Sequence, residues 1–461
     1  MVFGAGRVKT WIVATLVGIS IGIVYVLSPL TAWFVAAMWA LHRYATSGLE
    51  ADERRWLTAI LVIAVALRVA AVAGLFAMTD HTHTPFGTFF GDEEFYLRRS
   101  IWLRNVALDI PIHSADLIYA FDESGWTSHL YVLAFAQVLV GPSPYGAHLI
   151  GIALYLFAAF MLFRLVRPSF GRAPSLMGLV LVLFLPSFFA WSISALKEPL
   201  YFLMTVSGMS LAVRLVRDRR WPIKLLSLAA LGAIVAAVGT VRDGGAVLTG
   251  GGIVLGLLAV WLVRRPRALV AVAVALPIVI GATLNDPKRQ IRTYSLVQMA
   301  ARQHWGHVQT AGWTYKLLDE HYYHDISSID GLEFVDAARY LVRAVERYVT
   351  VPWPWEAQSA AALAYMPEQI VWYLLVALLP IGAVFSLRRD SLLTSLLLGI
   401  GAVAALAIAL LSGNVGTLVR LRVLAFPYVA TLSAVGACEL LTMATRREDG
   451  PVFEKAEPIW Q

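Results

Sequence analysis

Long apolar segments alternate with short basic loops along most of the chain. An α-helix needs about 20 mostly apolar residues to cross the roughly 30 Å hydrocarbon core of a bilayer. The pattern therefore predicts an all-α polytopic membrane protein with about twelve transmembrane helices. The predicted crossings cover residues 9–27, 29–43, 57–78, 144–166, 176–192, 199–217, 225–241, 246–263, 268–284, 366–386, 391–411 and 423–444.

Two polar regions interrupt this alternation and divide the chain. Within the first, residues 128–140 are apolar but cover only about 20 Å as a helix, so we expect a helix that lies at the membrane interface. The predicted parts are N-terminal transmembrane helices (1–78), a first external loop with an acidic motif and an interfacial helix (79–143), a central transmembrane bundle (144–284), a large late external loop (285–365), and C-terminal transmembrane helices with a cytoplasmic tail (366–461).

Composition supports the membrane assignment. Hydrophobic residues make up 59% of the chain and charged residues 15%, whereas soluble domains carry about 25% charged residues. The net charge of +7 comes from basic clusters between apolar segments, where the positive-inside rule places them, so we expect no nucleic-acid partner. Cys438 is the only cysteine, which excludes an internal disulfide.

Four short polar patches are predicted to reach the external face, opposite the basic loops. They are residues 91–96, 194–199, 241–244 and 413–422. Ionisable groups near bilayer depth cost several kcal/mol unless they are paired or line a wet cavity, so these patches are candidate functional sites.

Each patch also has a simpler interpretation. The three consecutive acids from Asp92 could form a solvated acidic loop, although the Phe-Tyr that follows indicates partial burial. Lys197 with Glu198, and Arg242 with its neighbour Asp243, could be ion pairs within a loop. The external arginines of the last patch oppose the positive-inside bias, which favours an anionic ligand.

The order of these patches resembles the GT-C superfamily of integral membrane glycosyltransferases, which includes the protein O-mannosyltransferases and the lipid A aminoarabinose transferases. The resemblance is carried by the acidic pair in the first external loop, the interfacial helix after it, the acid at 198, and the late sequence GNVGTLVRLRVLAFP at 413–427. The chain departs from the best-known members in its Lys197-Glu198 pair and in lacking a His-Pro-Pro-Leu signature.

The resemblance implies transfer of a sugar from a polyprenyl-phosphate donor to an acceptor, with inversion, at the extracytoplasmic face of a bacterial plasma membrane. The acceptor would be a hydroxyl of a glycan, lipid or protein. Asp92 and Glu93 are then the catalytic carboxylates, with Asp92 as base. Arg420, Arg422, Lys197 and Arg242 would bind the donor phosphate. Glu94, Tyr96 and Glu198 would orient the substrates.

The residues leave metal dependence open. Glu93 or Glu198 could help to hold Mg²⁺ or Mn²⁺, but no metal site is predicted. The pairs His81 with His83 and His321 with His324 lack the cysteines or helical spacing of a zinc site. His304, His307 and the tryptophans of 285–365 could stack on sugars, although interfacial anchoring explains them as well.

Two other functions remain as alternatives. A polysaccharide polymerase or ligase that uses lipid-pyrophosphate donors would show similar external arginines and a large late loop. A lipid or glycan transporter or flippase would instead show charges within its helices, broken helices and internal repeats.

Overall fold

The computed structural model describes residues 5–27, 29–80, 82–83, 90–123, 125–142, 145–285, 287–356 and 360–445. In these ranges the chain is helical and has no β-strand, apart from an isolated bridge between Thr314 and Asn414. The α-helices are α1 (Ala5–Leu27), α2 (Leu30–Thr46), α3 (Ala51–Met78), α4 (Gly91–Ala107), α5 (Ser114–Ala120), α6 (His129–Val140), α7 (Gly146–Phe170), α8 (Arg172–Phe184), α9 (Pro186–Ser192), α10 (Glu198–Arg217), α11 (Trp221–Val241), α12 (Gly252–Val263), α13 (Pro266–Asn285), α14 (Pro287–Val308), α15 (Phe334–Thr350), α16 (Ala360–Arg389), α17 (Ser391–Leu411), α18 (Val415–Arg422) and α19 (Phe426–Thr445).

Among the described residues, seven helices are long and apolar enough to cross a membrane. They are α3, α7, α10, α11, α16, α17 and α19. The pair α8 and α9, bent by 65° at its break, raises the number to eight if it forms one span. The predicted class, a polytopic α-helical membrane protein, is therefore confirmed.

The predicted number of about twelve crossings is not confirmed. The four remaining predicted crossings fall on α1, α2, α12 with the π-helical turn before it, and α13, which are not among the seven candidate spans of the described residues. The apolar run at 128–140 forms the short helix α6 (His129–Val140), as predicted, and its place at the membrane interface stays a prediction.

The chain folds into two compact units, each described below by itself. The first unit comprises Met1–Leu162, Phe188–Ser207 and Ala237–Asp243, and the second comprises Phe163–Ser187, Gly208–Ala236 and Gly244–Gln461. The first contains the patches at 91–96 and 194–199, and the start of 241–244. The patch at 413–422 belongs to the second.

The first unit has an apolar core between α4 and α6. Its buried members include Tyr96, Leu97 and Leu103 of α4, Leu130 and Leu133 of α6, and Ala195 and Leu196. Because the last two residues lie inside the patch 194–199, packing of this core fixes the position of that patch relative to α4.

Glycines permit the closest helix contacts of the second unit. A Cβ at Gly399 of α17 would lie 2.4 Å from the carbonyl oxygen of Gly252 and 2.6 Å from the amide nitrogen of Gly256, both on α12. A Cβ at Gly382 of α16 would similarly lie 1.8 Å from the carbonyl oxygen of Leu432 on α19. Small residues that allow backbones to approach are typical of helix packing in membranes.

Asp390 joins three helix ends in the second unit. Its carboxylate accepts hydrogen bonds from the Ser169 hydroxyl, the Arg217 guanidinium and the amide of Leu393, which it caps. Burial alone would raise the pKa of Asp390, but these hydrogen bonds outweigh it and hold the pKa below its usual range. The carboxylate therefore stays charged and keeps the helix ends together.

A candidate active site in the first unit

Helix α4 begins with the acidic motif. Asp92, Glu93 and Glu94 lie in its first turn, where negative charge is stabilised by the helix dipole. Their surroundings differ: Asp92 is exposed, Glu93 is fully buried, and Glu94 forms an ion pair with Arg98 one turn later. One motif thus provides one solvent-facing carboxylate and one buried one.

Glu93 connects α4 to the patch at 194–199. One carboxylate oxygen accepts a hydrogen bond from the Ala195 amide at 2.6 Å, and the other accepts from the Phe90 amide at 3.2 Å. His148 Nε2 lies 4.0 Å from the second oxygen. Glu93 is therefore held between α4 and the patch at 194–199, and its catalytic role stays a prediction, whereas Asp92 is exposed.

The peptide of Ala195 is held on both sides. Glu93 binds its amide, while His129 Nε2 lies 2.9 Å from its carbonyl oxygen. Since a carbonyl can only accept, His129 carries its proton on Nε2. Burial lowers the pKa of His129, so the ring stays neutral at physiological pH.

Gly151 of α7 lies against the same segment. A Cβ added to it would come within 2.2 Å of the Ser194 carbonyl oxygen, so only glycine fits there without movement of the segment. The patch at 194–199 is therefore fixed from three helices: α4, α6 and α7.

Lys197 and Glu198 follow this fixed peptide. The Lys197 ammonium lies 6.0 Å from the ring centroid of Tyr96, a cation–π distance, and Tyr96 lies one helical turn after Asp92. Residues four apart on a helix are neighbours on one face, so Lys197 and Asp92 are on the same side of α4.

Arg242 pairs with Glu198 across the unit. The Arg242 guanidinium lies 3.7 Å from a Glu198 carboxylate oxygen, and the two side chains are 15% and 3% exposed. The Arg242 segment is fixed at the start of α6, where Thr127 donates to the Val241 carbonyl at 2.6 Å and the Ser128 amide donates to the Thr240 carbonyl at 2.9 Å. The structure thus brings together the patches at 91–96 and 194–199 and Arg242, while their predicted place on the external face stays a prediction.

The patch at 413–422 has its partners in the late polar region. The Tyr315 amide donates to the Gly413 carbonyl at 3.0 Å, and the Val415 amide donates to the Trp313 carbonyl at 2.8 Å. Asn414 then caps α18 by accepting from the amides of Gly416 and Thr417. The sequence motif is thus a short turn and helix, fastened to residues 313–315.

Arg422 is buried at the end of α15. Its guanidinium donates to the carbonyls of Tyr348 and Val351, and to Gln369 Oε1 at 2.8 Å, and only 2% of the residue is exposed. A cation at the last carbonyls of a helix is a stabilising cap. This placement gives Arg422 a structural role, and the phosphate-binding role of Arg422 and of the half-buried Arg420 stays a prediction.

His304 forms a second buried network. Its Nδ1 lies 2.6 Å from the Ser412 carbonyl and its Nε2 lies 3.0 Å from the Tyr323 hydroxyl. The hydroxyl oxygen accepts from the amides of Leu317 and Leu318, so its own proton is donated to Nε2. The partners require a neutral ring with the proton on Nδ1. Burial lowers the pKa of His304 to about 4, which agrees with that state.

Sequence reasoning missed several buried polar residues, among them Arg68, His148 and Glu368 in predicted spans and His129 in the short helix. Arg68 donates to the Ser192 hydroxyl at 2.7 Å, and Glu368 accepts from the Ser187 amide at 2.8 Å. Each is a polar residue within an apolar segment, which was the available signal.

Among the described residues, no group of three or more His, Cys, Asp or Glu side chains is arranged to hold a metal ion. His81 lies outside the described residues. His321 stacks on its neighbour Tyr322, with 4.0 Å between ring centroids. An open cavity of about 580 Å³ lies along α14 of the second unit, lined by Ser295, Gln298, Met299, Arg302, Gln303, Gly306 and His307.

The cluster of the first unit combines an exposed carboxylate with two cations on a rigid scaffold. A carboxylate can accept a proton from a nucleophile, and cations can stabilise an anionic leaving group. No family model, curated protein or solved structure matches this chain.

Proposed function

We propose that the protein is a membrane glycosyltransferase that moves a sugar from a polyprenyl-phosphate donor to an acceptor hydroxyl. The observation that carries the proposal is the hydrogen bond from Ala195 to Glu93. It holds the acidic start of α4 against the segment that bears Lys197, so that a base and a phosphate-binding cation share one side of the helix.

In the proposed reaction Asp92 accepts the proton of the acceptor hydroxyl while its oxygen attacks the anomeric carbon of the donor. The bond from that carbon to the phosphate oxygen breaks, and the lipid phosphate leaves as an anion. The phosphate needs no proton, so the site needs one base and a cation rather than the acid and base of glycoside hydrolases.

Lys197 is the principal cation of the proposal, since it is half-buried beside Tyr96. Arg242 is already balanced by Glu198 and would bind phosphate in exchange for part of that ion pair. Glu94, also half-buried, and Tyr96 border the same face and are proposed to orient the sugar or acceptor. The proposed location is a bacterial plasma membrane, with the site on the extracytoplasmic face.

The test is transfer of radiolabelled sugar from lipid extracts of bacterial membranes by the purified protein in vesicles. We expect Asp92→Asn to lose transfer and Asp109→Asn, which neutralises another exposed acid of the same unit, to keep it. Transfer that survives in Asp92→Asn removes Asp92 from the mechanism. Wild-type protein that transfers nothing from any extract contradicts the proposal.

A transporter is the second candidate, because the structure contains two of its expected features. Arg68 is fully buried in the middle of the candidate span α3, and Glu368 is buried near the start of the candidate span α16. The candidate span of α8 and α9 is broken and bent by 65°. Movement of labelled lipid between vesicle leaflets, without transfer of its sugar, would favour this function.

A further inference from the structure

Helix α15 presents two apolar faces. Ala337, Tyr340, Ala344 and Tyr348 are buried in the second unit. A separate stripe remains exposed, at the spacing expected for a second helical face. It consists of Phe334 (52% exposed), Val335 (53%), Leu341 (39%), Val342 (70%) and Val345 (51%).

The remaining face of α15 is charged and internally paired. Arg339 lies 3.6 Å from Asp336 on the same helix, and Arg343 lies 3.0 Å from Asp319. These side chains are substantially exposed except for Asp336, and such pairs are typical of a face in water. Helix α15 therefore has a charged face suited to water and, next to it, an exposed apolar face that is not.

The contacts of α15 with α16 indicate how deep α15 lies in the membrane. Trp372 Nε1 donates to the Val349 carbonyl at 3.0 Å, and the Tyr373 hydroxyl donates to the Thr350 carbonyl at 2.6 Å. Trp372 lies about 26 Å along α16 from Arg389, at about 1.5 Å per residue. Arg389 belongs to the basic end of this candidate span, which the positive-inside rule places at the cytoplasmic boundary.

A second helix gives the same depth independently. The Tyr340 hydroxyl donates to the Leu410 carbonyl, and Leu410 lies about 29 Å along α17 from Ser391. Since the hydrocarbon core is about 30 Å thick, both contacts lie close to the boundary opposite the basic ends. Helix α15 thus crosses the ends of two candidate spans at the level where hydrocarbon meets headgroups.

The segment after α15 carries the aromatic residues typical of that level. Trp353 and Trp355 stack with 4.6 Å between ring centroids, and Trp355 is 74% exposed. Tryptophan is enriched at the interface between membrane and water.

From these observations we propose that α15 lies in the membrane interface, with its stripe of Phe334, Val335, Leu341, Val342 and Val345 against lipid acyl chains. Arg339 and Arg343 then face the headgroups and water. The occupant of the stripe is lipid, because the depth of the helix along α16 and α17 puts the stripe next to hydrocarbon. The proposal does not depend on the transferase reaction.

The test uses nitroxide labels on the full chain in nanodiscs. With Cys438→Ser as background, single cysteines replace Val345 on the stripe or Arg339 on the charged face, which are similarly exposed at 51% and 56%. Collision rates are measured with oxygen, which partitions into lipid, and with a water-soluble nickel chelate. Size-exclusion profiles that match the unsubstituted background protein confirm that each variant is folded.

We expect the ratio of oxygen to nickel collisions to be several-fold higher at position 345 than at 339. Equal ratios at the two positions would overturn the proposal, because both faces would then be in water. Dipolar broadening between labels at 345, if it disappears when labelled protein is diluted with unlabelled protein, would also overturn it, because a second copy would then cover the stripe.

Discussion

Adjacent acids at the start of α4 have different surroundings: Asp92 is exposed, whereas Glu93 is fully buried and accepts hydrogen bonds from two amides. The sequence pattern predicted that this acidic motif contains catalytic carboxylates. Three consecutive acids, however, give no indication of which one is buried. Burial depends on Ala195, which is distant in sequence and whose amide points at Glu93. The sequence therefore predicted the motif and its partner patches, but not the roles of single residues.

Substitution should separate these roles. Both oxygens of Glu93 accept hydrogen bonds from amides, and Gln offers only one acceptor, so Glu93→Gln leaves a buried amide facing a donor. We expect a loss of about 1–3 kcal/mol in unfolding free energy, measured by thermal or denaturant unfolding in detergent. Asp92→Asn, at an exposed position, should change stability by less than about 0.5 kcal/mol. Equal losses would contradict the assignment of Glu93.

Stability should depend on pH through His304. Its pKa is about 4 in the folded protein, against 6.5 for the ordinary group, so between these values the unfolded chain binds more protons. Stability is then complete above about pH 6.5 and decreases as the pH falls toward 4, by an amount on the order of 3 kcal/mol. Melting temperatures of wild type across this range should show the decrease.

The matched variants identify the group responsible. His304→Asn removes one titrating ring and should reduce the pH dependence, leaving the part that comes from His129, whose pKa burial also lowers. The melting temperature at pH 7 should fall because the hydrogen bond to Tyr323 is lost. His307→Asn, one turn along the same helix, should keep the wild-type slope. A slope unchanged in His304→Asn would show that another group dominates.

At the scale of elements, the length of an apolar run predicted where long helices form. The close contacts between those helices could not be predicted from the sequence. Seven of the long apolar runs form candidate spans, and the run at 128–140 forms the 12-residue helix α6, which is too short to cross. The runs near 246–263 and 268–284 form α12, with the π-helical turn before it, and α13, and their predicted crossings stay predictions. The amphipathic helix α15 was not predicted, because the mean hydropathy of its segment is polar although one face of the helix is apolar.

Helix contacts at glycine give a prediction at this scale. Gly399→Ala would push a methyl group into the backbone of α12, and we expect a loss of about 1–3 kcal/mol. Gly232→Ala on α11 meets nothing within 4 Å and should be neutral or stabilising by up to about 1 kcal/mol. Thermal unfolding of the two variants in one detergent gives the comparison, and equal melting temperatures would contradict the packing.

For the whole molecule, the open question is whether α8 and α9 cross the membrane together. Between Glu123 and Arg219 lie the candidate spans α7 and α10 and this bent pair. Three crossings put the two positions on opposite faces, and a re-entrant pair puts them on the same face. The basic residues near 167–172 and 217–224 favour three crossings, since both clusters are then cytoplasmic.

Single cysteines at these positions, in the Cys438→Ser background, can be labelled in sealed vesicles with a membrane-impermeant maleimide. We expect labelling at one position and protection at the other until detergent is added. Labelling of both positions in intact vesicles would show that the pair is re-entrant and would remove one crossing from the topology.

The hydrogen bond between Glu93 and Ala195 also has a consequence for biogenesis. A ribosome delivers the acidic motif to the membrane well before Ala195, and Arg242 emerges later still. Until those segments insert, the Glu93 carboxylate cannot accept a hydrogen bond from the Ala195 amide. The cluster is therefore completed only when the segment after α11, with Arg242, has been delivered, so we expect that shorter nascent chains do not contain it.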